Sequence, residues 1–198
     1  MTTVSTGATM SLDGYIAGPA ESGFDLLFRW YGNGDVEVPS ANPNVSFRLN
    51  ERSAARFKNL IESTGVLVVG RHLFNVTNGW DGMHPMGVPV IVVTHSVPDG
   101  WPREGAPFEF VTDGIEAAIA RAKEIAGDKS VGVNGGTIAR QCLELGLLDE
   151  IWVDLAPVLL GGGTPFFGQL ANAPVELEGP EIIEGKDVTH LRFKVVRH

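Results

Sequence analysis

The sequence has little cysteine and little positive charge. Cys142 is its single cysteine among 198 residues, so no intramolecular disulfide can form. This points to a reducing compartment, and we expect a cytoplasmic protein. Lys and Arg number 15 against 24 Asp and Glu, which gives a net charge of −9. Because nucleic-acid binding depends on clustered basic residues, this balance argues against a nucleic-acid partner.

Long apolar runs and several common catalytic motifs are also missing. The longest apolar stretches, such as 88–94, fall far short of the ~20 residues that span a bilayer, so no membrane partner is expected. The sequence has no G-x-G-x-x-G fingerprint, no G-x-x-x-x-G-K-[ST] loop and no G-x-S-x-G turn. Its five histidines lack metal-ligand spacing, and therefore no metal site is expected.

Short apolar strands alternate with segments of helical period along the chain. Five strands are predicted, at 66–70, 88–94, 108–112, 130–134 and 150–158. Apolar residues at intervals of three and four predict helices at 51–63, 114–126 and 137–145. The last 30 residues predict an antiparallel strand pair added to the sheet. This pattern is typical of one α/β domain, here 1–198, with a mixed, mainly parallel sheet.

The ends of these segments carry signals of their own. Asp113 stands three residues before Glu116, which resembles a capping box for the helix at 114–126. Residues 19–49 fit no periodicity and are predicted to be an irregular, functional loop. Cys142 lies on the apolar stripe of its helix, and we expect a buried structural thiol there rather than a nucleophile.

Glycine-containing turns follow the predicted strands, where open α/β sheets place their ligands. In the segment 133–143, Gly135 and Gly136 allow the backbone to approach a ligand closely. Thr137 is the predicted cap of the helix that follows, whose first free amides form an anion site. We favour phosphate binding at this turn, although a plain β-α connection is the alternative.

Two further turns carry hydrogen-bond donors. Arg71 follows the strand at 66–70 and has the planar guanidinium that clamps phosphate. Thr94, His95 and Ser96 end the strand at 88–94. The alternatives to a ligand role are a solvated surface charge and an ordinary polar turn.

A run of three glycines, 161–163, forms the fourth turn. Such a run loses much conformational entropy on folding, so it indicates close packing against a ligand or another backbone. Its expected partner is the N-terminal segment 6–18.

These motifs occur in an order that resembles the dihydrofolate reductase-like superfamily. The resemblance covers about residues 3–197 and rests on SLDGYIAG, GRHLF, VVTHS, the block VNGGTIARQCLELGLLDEIWVDLAPVLLGGGTPFF and the final strand pair. The sequence is most similar to the reductase domain of the bifunctional riboflavin-biosynthesis deaminase–reductase and its free-standing relatives. This resemblance implies a three-layer fold, NADPH as cofactor, hydride transfer to a small heterocycle of pteridine or pyrimidine type, and a homodimer.

The resemblance also implies which residues bind the cofactor. The pyrophosphate would be held by Gly135, Gly136, Thr137 and Ile138. The adenosine ribose and its 2′-phosphate would be surrounded by Gly70, Arg71, His72, Thr94, His95 and Ser96. The nicotinamide would be flanked by Ala8 and by the loop at 12–17, which includes Ile16, while Gly162 and its neighbours would close that side of the cleft as part of the substrate site.

Substrate recognition is the least constrained part, because 19–49 does not match the riboflavin enzyme. Asp25 lies near the position of the substrate-binding acid of dihydrofolate reductases, and Asp13 lies beside the nicotinamide loop, so both are candidate catalytic residues. A solvated loop acid and an ordinary Asp-Gly turn are the alternatives. Trp30 is a candidate for stacking on the substrate, although aromatic residues in irregular segments are more often core anchors, and we favour the core-anchor reading. Two other functions stay open: reduction of another C=N or C=O compound, and nucleotide binding without turnover.

Overall fold

The computed structural model of the protein describes residues 2–197. In chain order the strands are β1 (Val4–Ser11), β2 (Tyr15–Ala17), β3 (Val36–Val38), β4 (Phe47–Leu49), β5 (Thr64–Gly70), β6 (Val90–Val93), β7 (Phe108–Val111), β8 (Ser130–Asn134), β9 (Glu150–Ala156), β10 (Thr164–Pro165), β11 (Leu177–Glu184) and β12 (Thr189–Val195). The helices are α1 (Phe24–Leu27), α2 (Glu51–Ser63), α3 (Arg71–Val76), α4 (Ile115–Ala126) and α5 (Thr137–Glu144). All the strands and helices predicted from periodicity are confirmed.

The main sheet has eight strands in the order β11-β12-β9-β1-β8-β5-β6-β7. The six strands from β9 to β7 run parallel to one another, while β12 pairs antiparallel with both β9 and β11. The predicted mixed sheet with a C-terminal antiparallel pair is therefore confirmed. Because the six parallel strands point the same way, their carboxyl ends lie along one edge of the sheet.

Helices cover both faces of this sheet and make three layers. On one face, α4 and α5 pack on the central strands through residues such as Ile119, Cys142 and Val131. On the other face, α2 packs beside β3 and β4, and α3 packs against β5 and β6. Burial raises the pKa of the Cys142 thiol to about 12, so the thiol stays protonated, as expected of a structural cysteine.

Residues 19–49 differ from the irregular loop that the sequence predicts. They form short helices and the β3-β4 hairpin, whose apolar side chains close a second core against α2. Trp30 lies at its centre, 1% exposed, with its ring edge-on to Phe57 and His190. Periodicity missed these elements because each is only three or four residues long.

Two predicted helix caps are also corrected. Helix α4 begins at Ile115, and its cap is Gly114, which lacks a side-chain hydrogen bond, so the Asp113 capping box does not form. Helix α5 likewise has Gly136 as its cap rather than Thr137, which is already in the helix. In the part of the chain that is described, no helix combines the length and apolarity needed to cross a membrane.

Candidate functional site

The candidate site lies at the carboxyl edge of the sheet, where β1 extends beyond its neighbour β8. The pairing of β1 with β8 ends at Gly7 and Asn134, whereas its pairing with β9 continues to Ser11. This difference in length leaves a step between two adjacent parallel strands. The turn that follows β8, with Gly135 and Gly136, lies at this step and faces the last residues of β1.

The glycine pair contacts the N-terminal residues that the resemblance assigns to the nicotinamide. A β-carbon placed on Gly135 would lie 3.2 Å from Ile16 Cδ1 and 3.3 Å from Ala8 Cβ, closer than ordinary packing allows. Gly136 has φ +83°, a left-handed conformation that favours glycine. The structure thus brings Ala8, Ile16, Gly135 and Gly136 together.

Helix α5 directs free amides into the same space. Its first internal hydrogen bond is donated by Arg140 N to Gly136 O at 3.0 Å, so the amides of Thr137, Ile138 and Ala139 precede the helical ladder. Free amides and the positive end of a helix dipole are features that attract anions. The side chain of Ile138 lies against Gly70, whose added β-carbon would lie 3.1 Å from Ile138 Cγ1.

Arg71 begins α3 directly after Gly70 and turns toward the end of β6. Its Nη1 donates hydrogen bonds to Ser96 O at 2.7 Å and Thr94 Oγ1 at 3.2 Å, and its Nε donates to Asn75 Oδ1 at 2.9 Å. These bonds orient the guanidinium, and the hydrogens of Nη2 take no part in them. Arg71, Thr94 and Ser96 are therefore neighbours, as the cofactor assignment requires of them.

The run Gly161–Gly163 packs against the N-terminal segment, as predicted. A β-carbon on Gly163 would lie 2.0 Å from Ala17 O, a distance at which only glycine fits. Strand β10 pairs antiparallel with β2 beside this contact. Gly162 lies next to Pro19, with 3.7 Å between its added β-carbon and Pro19 Cγ.

Asp13 joins the N-terminal segment to the start of the glycine run through hydrogen bonds. Its Oδ1 accepts hydrogen bonds from Ser11 Oγ at 2.6 Å and Leu160 N at 3.1 Å, and its Oδ2 accepts one from Gly161 N at 2.7 Å. The bond from Ser11 contributes most to lowering the pKa of Asp13 below its ordinary value of 3.8, and the two amides add to it. An aspartate that is ionised and bonded in this way is a poor proton donor near neutral pH, so the structure supports a positioning role over a catalytic one.

We expect Asp13→Asn to loosen the contact between the two segments. An asparagine side chain keeps one oxygen and replaces the other with an NH2 group, so the amide of Leu160 or of Gly161 loses its acceptor and its hydrogen exchange should become faster. The pKa of Asp13 is lower in the folded protein than in the unfolded chain. Ionised Asp13 therefore stabilises the fold at pH values above its ordinary pKa, and this contribution is lost as pH falls through the lowered pKa. The difference in melting temperature between the wild type and Asp13→Asn should therefore shrink on acidification. Asp25→Asn serves as the control, and equal exchange in both variants would refute the role of Asp13.

The remaining predicted site residues lie outside this contact network. Asp25 is exposed in the first turn of α1, and His95 is exposed after β6. His72 is exposed as well, and its Nε2 lies 2.8 Å from Glu21 Oε1. Trp30 is enclosed in the second core, where its Nε1 donates to Thr9 Oγ1 at 3.3 Å, so its ring is not available for stacking on a substrate. The core-anchor alternative is the one that the structure supports.

A buried polar cluster beside Trp30 was not predicted. Asp154 Oδ1 lies 2.7 Å from His190 Nδ1 and 3.0 Å from Arg56 Nη2, while His190 Nε2 lies 2.8 Å from Ser53 Oγ. The order Ser-His-Asp resembles a hydrolytic triad, but Ser53 is 1% and His190 0% exposed, so no substrate reaches the hydroxyl. The sequence signal that could have revealed this cluster is an ionisable residue, Asp154, inside the apolar run 150–158. Among residues 2–197, no group of His, Cys, Asp and Glu is arranged to hold a metal ion.

Comparisons with known proteins agree with this architecture. The chain is 23% identical over 163 residues to the uncharacterized protein YwjB of Bacillus subtilis (strain 168), covering 82% of this chain and 81% of that protein. A putative riboflavin biosynthesis protein from Shewanella sp. PV-4 superposes with a TM-score of 0.74 at 23% identity, over 99% of this chain and 100% of that one.

Dihydrofolate reductase from Enterococcus faecalis, solved as a complex with NADP(H), has the same fold. It superposes with a TM-score of 0.53 at 16% identity, over 98% of this chain and 96% of that one. The three-layer arrangement expected from the sequence is therefore confirmed as dihydrofolate reductase-like. The model of the RibD C-terminal domain matches residues 2–191, which is nearly the whole chain, so this protein belongs to the RibD C-terminal domain family.

Proposed function

We propose that the protein is an NADPH-dependent reductase that transfers hydride to a small heterocycle of pyrimidine or pteridine type. The observation that carries the proposal is the contact of Gly135 with Ala8 and Ile16 at the end of the central strands. It joins the expected nicotinamide residues to the amides that begin α5. The complex of the E. faecalis relative with NADP(H) supports the choice of cofactor.

The residues of this chain suit an extended dinucleotide. Arg71 follows Gly70, Gly70 lies against Ile138, and Gly135, three residues before Ile138, lies against Ala8. This sequence of neighbours matches the order 2′-phosphate, pyrophosphate and nicotinamide. The free amides at the start of α5 would hold the pyrophosphate, and Arg71 would bind the 2′-phosphate. The nicotinamide would supply the hydride when bound, and Ala8 and Ile16 would hold its ring.

Thermal unfolding and cofactor oxidation test this proposal together. NADPH at 100 times its Kd should raise stability by about 2.7 kcal/mol, while FMN should have no effect. Oxidation of NADPH, followed at 340 nm, should then depend on a pyrimidine or pteridine from a substrate panel. Stabilisation without oxidation by any compound would favour a binding protein that performs no turnover. If neither NADPH nor NADH stabilises the protein, the cofactor assignment is refuted.

Replacing Arg71 by alanine should weaken the binding of NADPH much more than the binding of NADH. A charge-assisted hydrogen bond to the 2′-phosphate contributes about 1.5–3 kcal/mol, which corresponds to roughly 10- to 150-fold in Kd. Isothermal titration of both cofactors measures the two losses. Arg103→Ala is the control, because the Arg103 guanidinium is engaged with the Trp101 ring, 4.4 Å from its centroid. An equal loss for both cofactors would remove Arg71 from the 2′-phosphate.

We further propose that the protein forms a homodimer through the β11-β12 hairpin. Strand β11 is the last strand of the sheet, and seven of its eight residues are exposed, among them Ile182 at 58%. Long exposed edge strands with apolar side chains favour pairing with another chain. Light scattering should give twice the 21.2 kDa chain mass, and Ile182→Glu should lower it toward the monomer. A monomeric wild type would refute this proposal.

The cytoplasm is the compartment that we propose for this reductase. The support is chemical: the one cysteine is a protonated, buried thiol, and reduced cofactor and reduced thiols occur together in a reducing compartment. Cell fractionation with an antibody against the chain tests this directly, and recovery outside the cytoplasmic fraction would contradict it.

A further inference from the structure

The side-chain amide of Asn134 has no partner, although it lies at the centre of the sheet. Asn134 is the last residue of β8 and is half-buried. Three other asparagines among the described residues are likewise not exposed, and each forms a side-chain hydrogen bond: Asn33, Asn42 and Asn50. The amide of Asn134 forms none with residues 2–197. Polar groups beside a core normally have a partner, so this free amide indicates a missing one.

Asn134 faces the side of the sheet that carries α2 and α3. Its partner in β1 is Gly7, and the partner of Gly7 in β9 is Trp152. Residues paired in this way share a face of the sheet. The ring of Trp152 lies 4.7 Å from the Arg56 guanidinium of α2, which identifies that face. Asn134 and Gly7 are therefore neighbours under the two helices.

The cover of this face has a gap above Gly7. The core beside α2 and the core beside α3 have no residue in common, and β1 and β8 lie between them in the sheet. Gly7 is exposed although its strand is the fourth of eight. A β-carbon on Gly7 would have only two atoms of Trp152 within 4 Å, at 3.5 and 3.8 Å. The gap thus has Gly7 as its floor and Asn134 at its side.

This gap lies at the carboxyl edge, beside the proposed nicotinamide residues. The pair of Gly7 and Asn134 is the last between β1 and β8, so the two faces of the sheet are open to each other beyond it. Ala8 follows Gly7, and Gly135 follows Asn134. These two following residues contact each other where the nicotinamide is proposed to bind. A ring on Gly7 would therefore be adjacent to the nicotinamide, as hydride transfer requires.

The chemistry of Asn134 defines what it can recognise. An asparagine side chain places an acceptor, Oδ1, beside a donor, Nδ2, and carries no charge. This pattern is complementary to the edge of a lactam ring, where N–H stands beside C=O. Gly7 and Trp152, its neighbours on this face, are uncharged as well. A phosphate or carboxylate would lack a counter-charge from these three residues, and burying it there would be costly.

We propose that Asn134 is the specificity-determining residue of the substrate site and selects an uncharged lactam ring that lies on Gly7. Nδ2 donates to the ring carbonyl, and Oδ1 accepts from the ring N–H. A ring with alkylated nitrogens has no N–H to donate and leaves Oδ1 unpaired. This inference rests on the proposed reductase function and makes its substrate class specific.

Calorimetric titration of the full chain with saturating NADP⁺ tests the role of Asn134. The probes are lumazine and 1,3-dimethyllumazine, which share one ring system and differ in their lactam N–H groups. The wild type should bind lumazine about tenfold more tightly than the dimethyl compound. Asn134→Leu, similar in size but apolar, should weaken lumazine and bind both probes equally. If Asn134→Leu keeps the full preference for lumazine, the preference is steric and the proposal is overturned.

Gly7→Ala tests the location of the ring independently. Its β-carbon would lie 3.5 Å from Trp152 Cβ, an ordinary packing distance, so the fold should accept it and the melting temperature should stay unchanged. The methyl group covers the floor of the gap, and lumazine binding should weaken about tenfold. This result is expected even if Asn134→Leu disturbs the adjacent turn. Asn172→Leu, at an exposed asparagine without a side-chain hydrogen bond, is the control and should bind both probes like the wild type.

The outcomes separate this inference from the proposed function. Binding of NADPH by a wild type that does not bind lumazine would overturn the lactam site and leave the cofactor site standing. Unchanged lumazine binding in Gly7→Ala would also overturn it. Selection of lumazine through Asn134 by a protein that does not bind NADPH would refute the proposed reductase and support the lactam site.

Discussion

Gly135→Val is expected to reduce NADPH affinity on the order of 100-fold, with Gly135→Ala losing roughly tenfold, because overpacking costs about 1–3 kcal/mol. A β-carbon at this position already lies 3.2 Å from Ile16 Cδ1, and each added methyl group narrows the space between the turn and β1 further. The distinctive result is that NADPH affinity, measured by titration, falls stepwise from the wild type to Gly135→Ala and then to Gly135→Val. Gly135 is a cleaner test than Gly136, whose φ of +83° would add backbone strain to any substitution.

Gly32→Val is the matched control, since a β-carbon on Gly32 has no heavy atom within 4 Å among the described residues. It should leave NADPH affinity unchanged. Circular dichroism should show an intact fold in both valine variants. Unchanged affinity in Gly135→Val would disprove the assignment of this turn to the dinucleotide.

Asp154→Ala is expected to cause the largest loss of stability, about 3–5 kcal/mol. Removing the carboxylate leaves the Arg56 guanidinium, 5% exposed, without its ionic partner, and leaves His190 Nδ1 without its acceptor. For a domain of this size the melting temperature should fall on the order of 10 °C. Urea unfolding measures the free energy directly.

Glu109→Ala provides the comparison for an exposed ion pair. Its partner is Arg121, and the two side chains are 42% and 45% exposed, so the loss should stay below about 1 kcal/mol. Replacing Arg56 by methionine in the Asp154→Ala background should recover part of the stability, because the buried charge is then removed as well. Equal losses in Asp154→Ala and Glu109→Ala would contradict a buried, charge-paired core.

The strands and helices were predictable because their signals are local. The run 90–93 is apolar on both faces of its strand, and the helix at 114–126 repeats its apolar residues at helical intervals. Each pattern extends over enough residues to be recognised. The glycine pair at Gly135 and the run at Gly161–Gly163 were predictable for a related reason. At Gly135 and Gly163 an added β-carbon would meet neighbouring residues, so glycine there does mark a close approach of the backbone.

The segment 19–49 was misjudged because its order depends on distant residues. Trp30 resembles an exposed aromatic in a polar loop, yet it is covered by the β3-β4 hairpin and by Phe57 and His190. The two readings of Asp13 stayed open from the sequence alone, because the amides of Leu160 and Gly161 that bond to it lie nearly 150 residues away.

Local patterns of apolar residues and glycines were thus enough to predict the layers of this α/β domain, the strand ends that carry the turns, and the resemblance to its family. The tertiary structure decided which polar side chains meet. Asp13 joins two loops through hydrogen bonds, and Arg56 and Asp154 form an ion pair between a helix and a strand nearly 100 residues apart. The physical reason is that burial and pairing of charges depend on contacts between distant segments, whereas periodicity reports only neighbours along the chain.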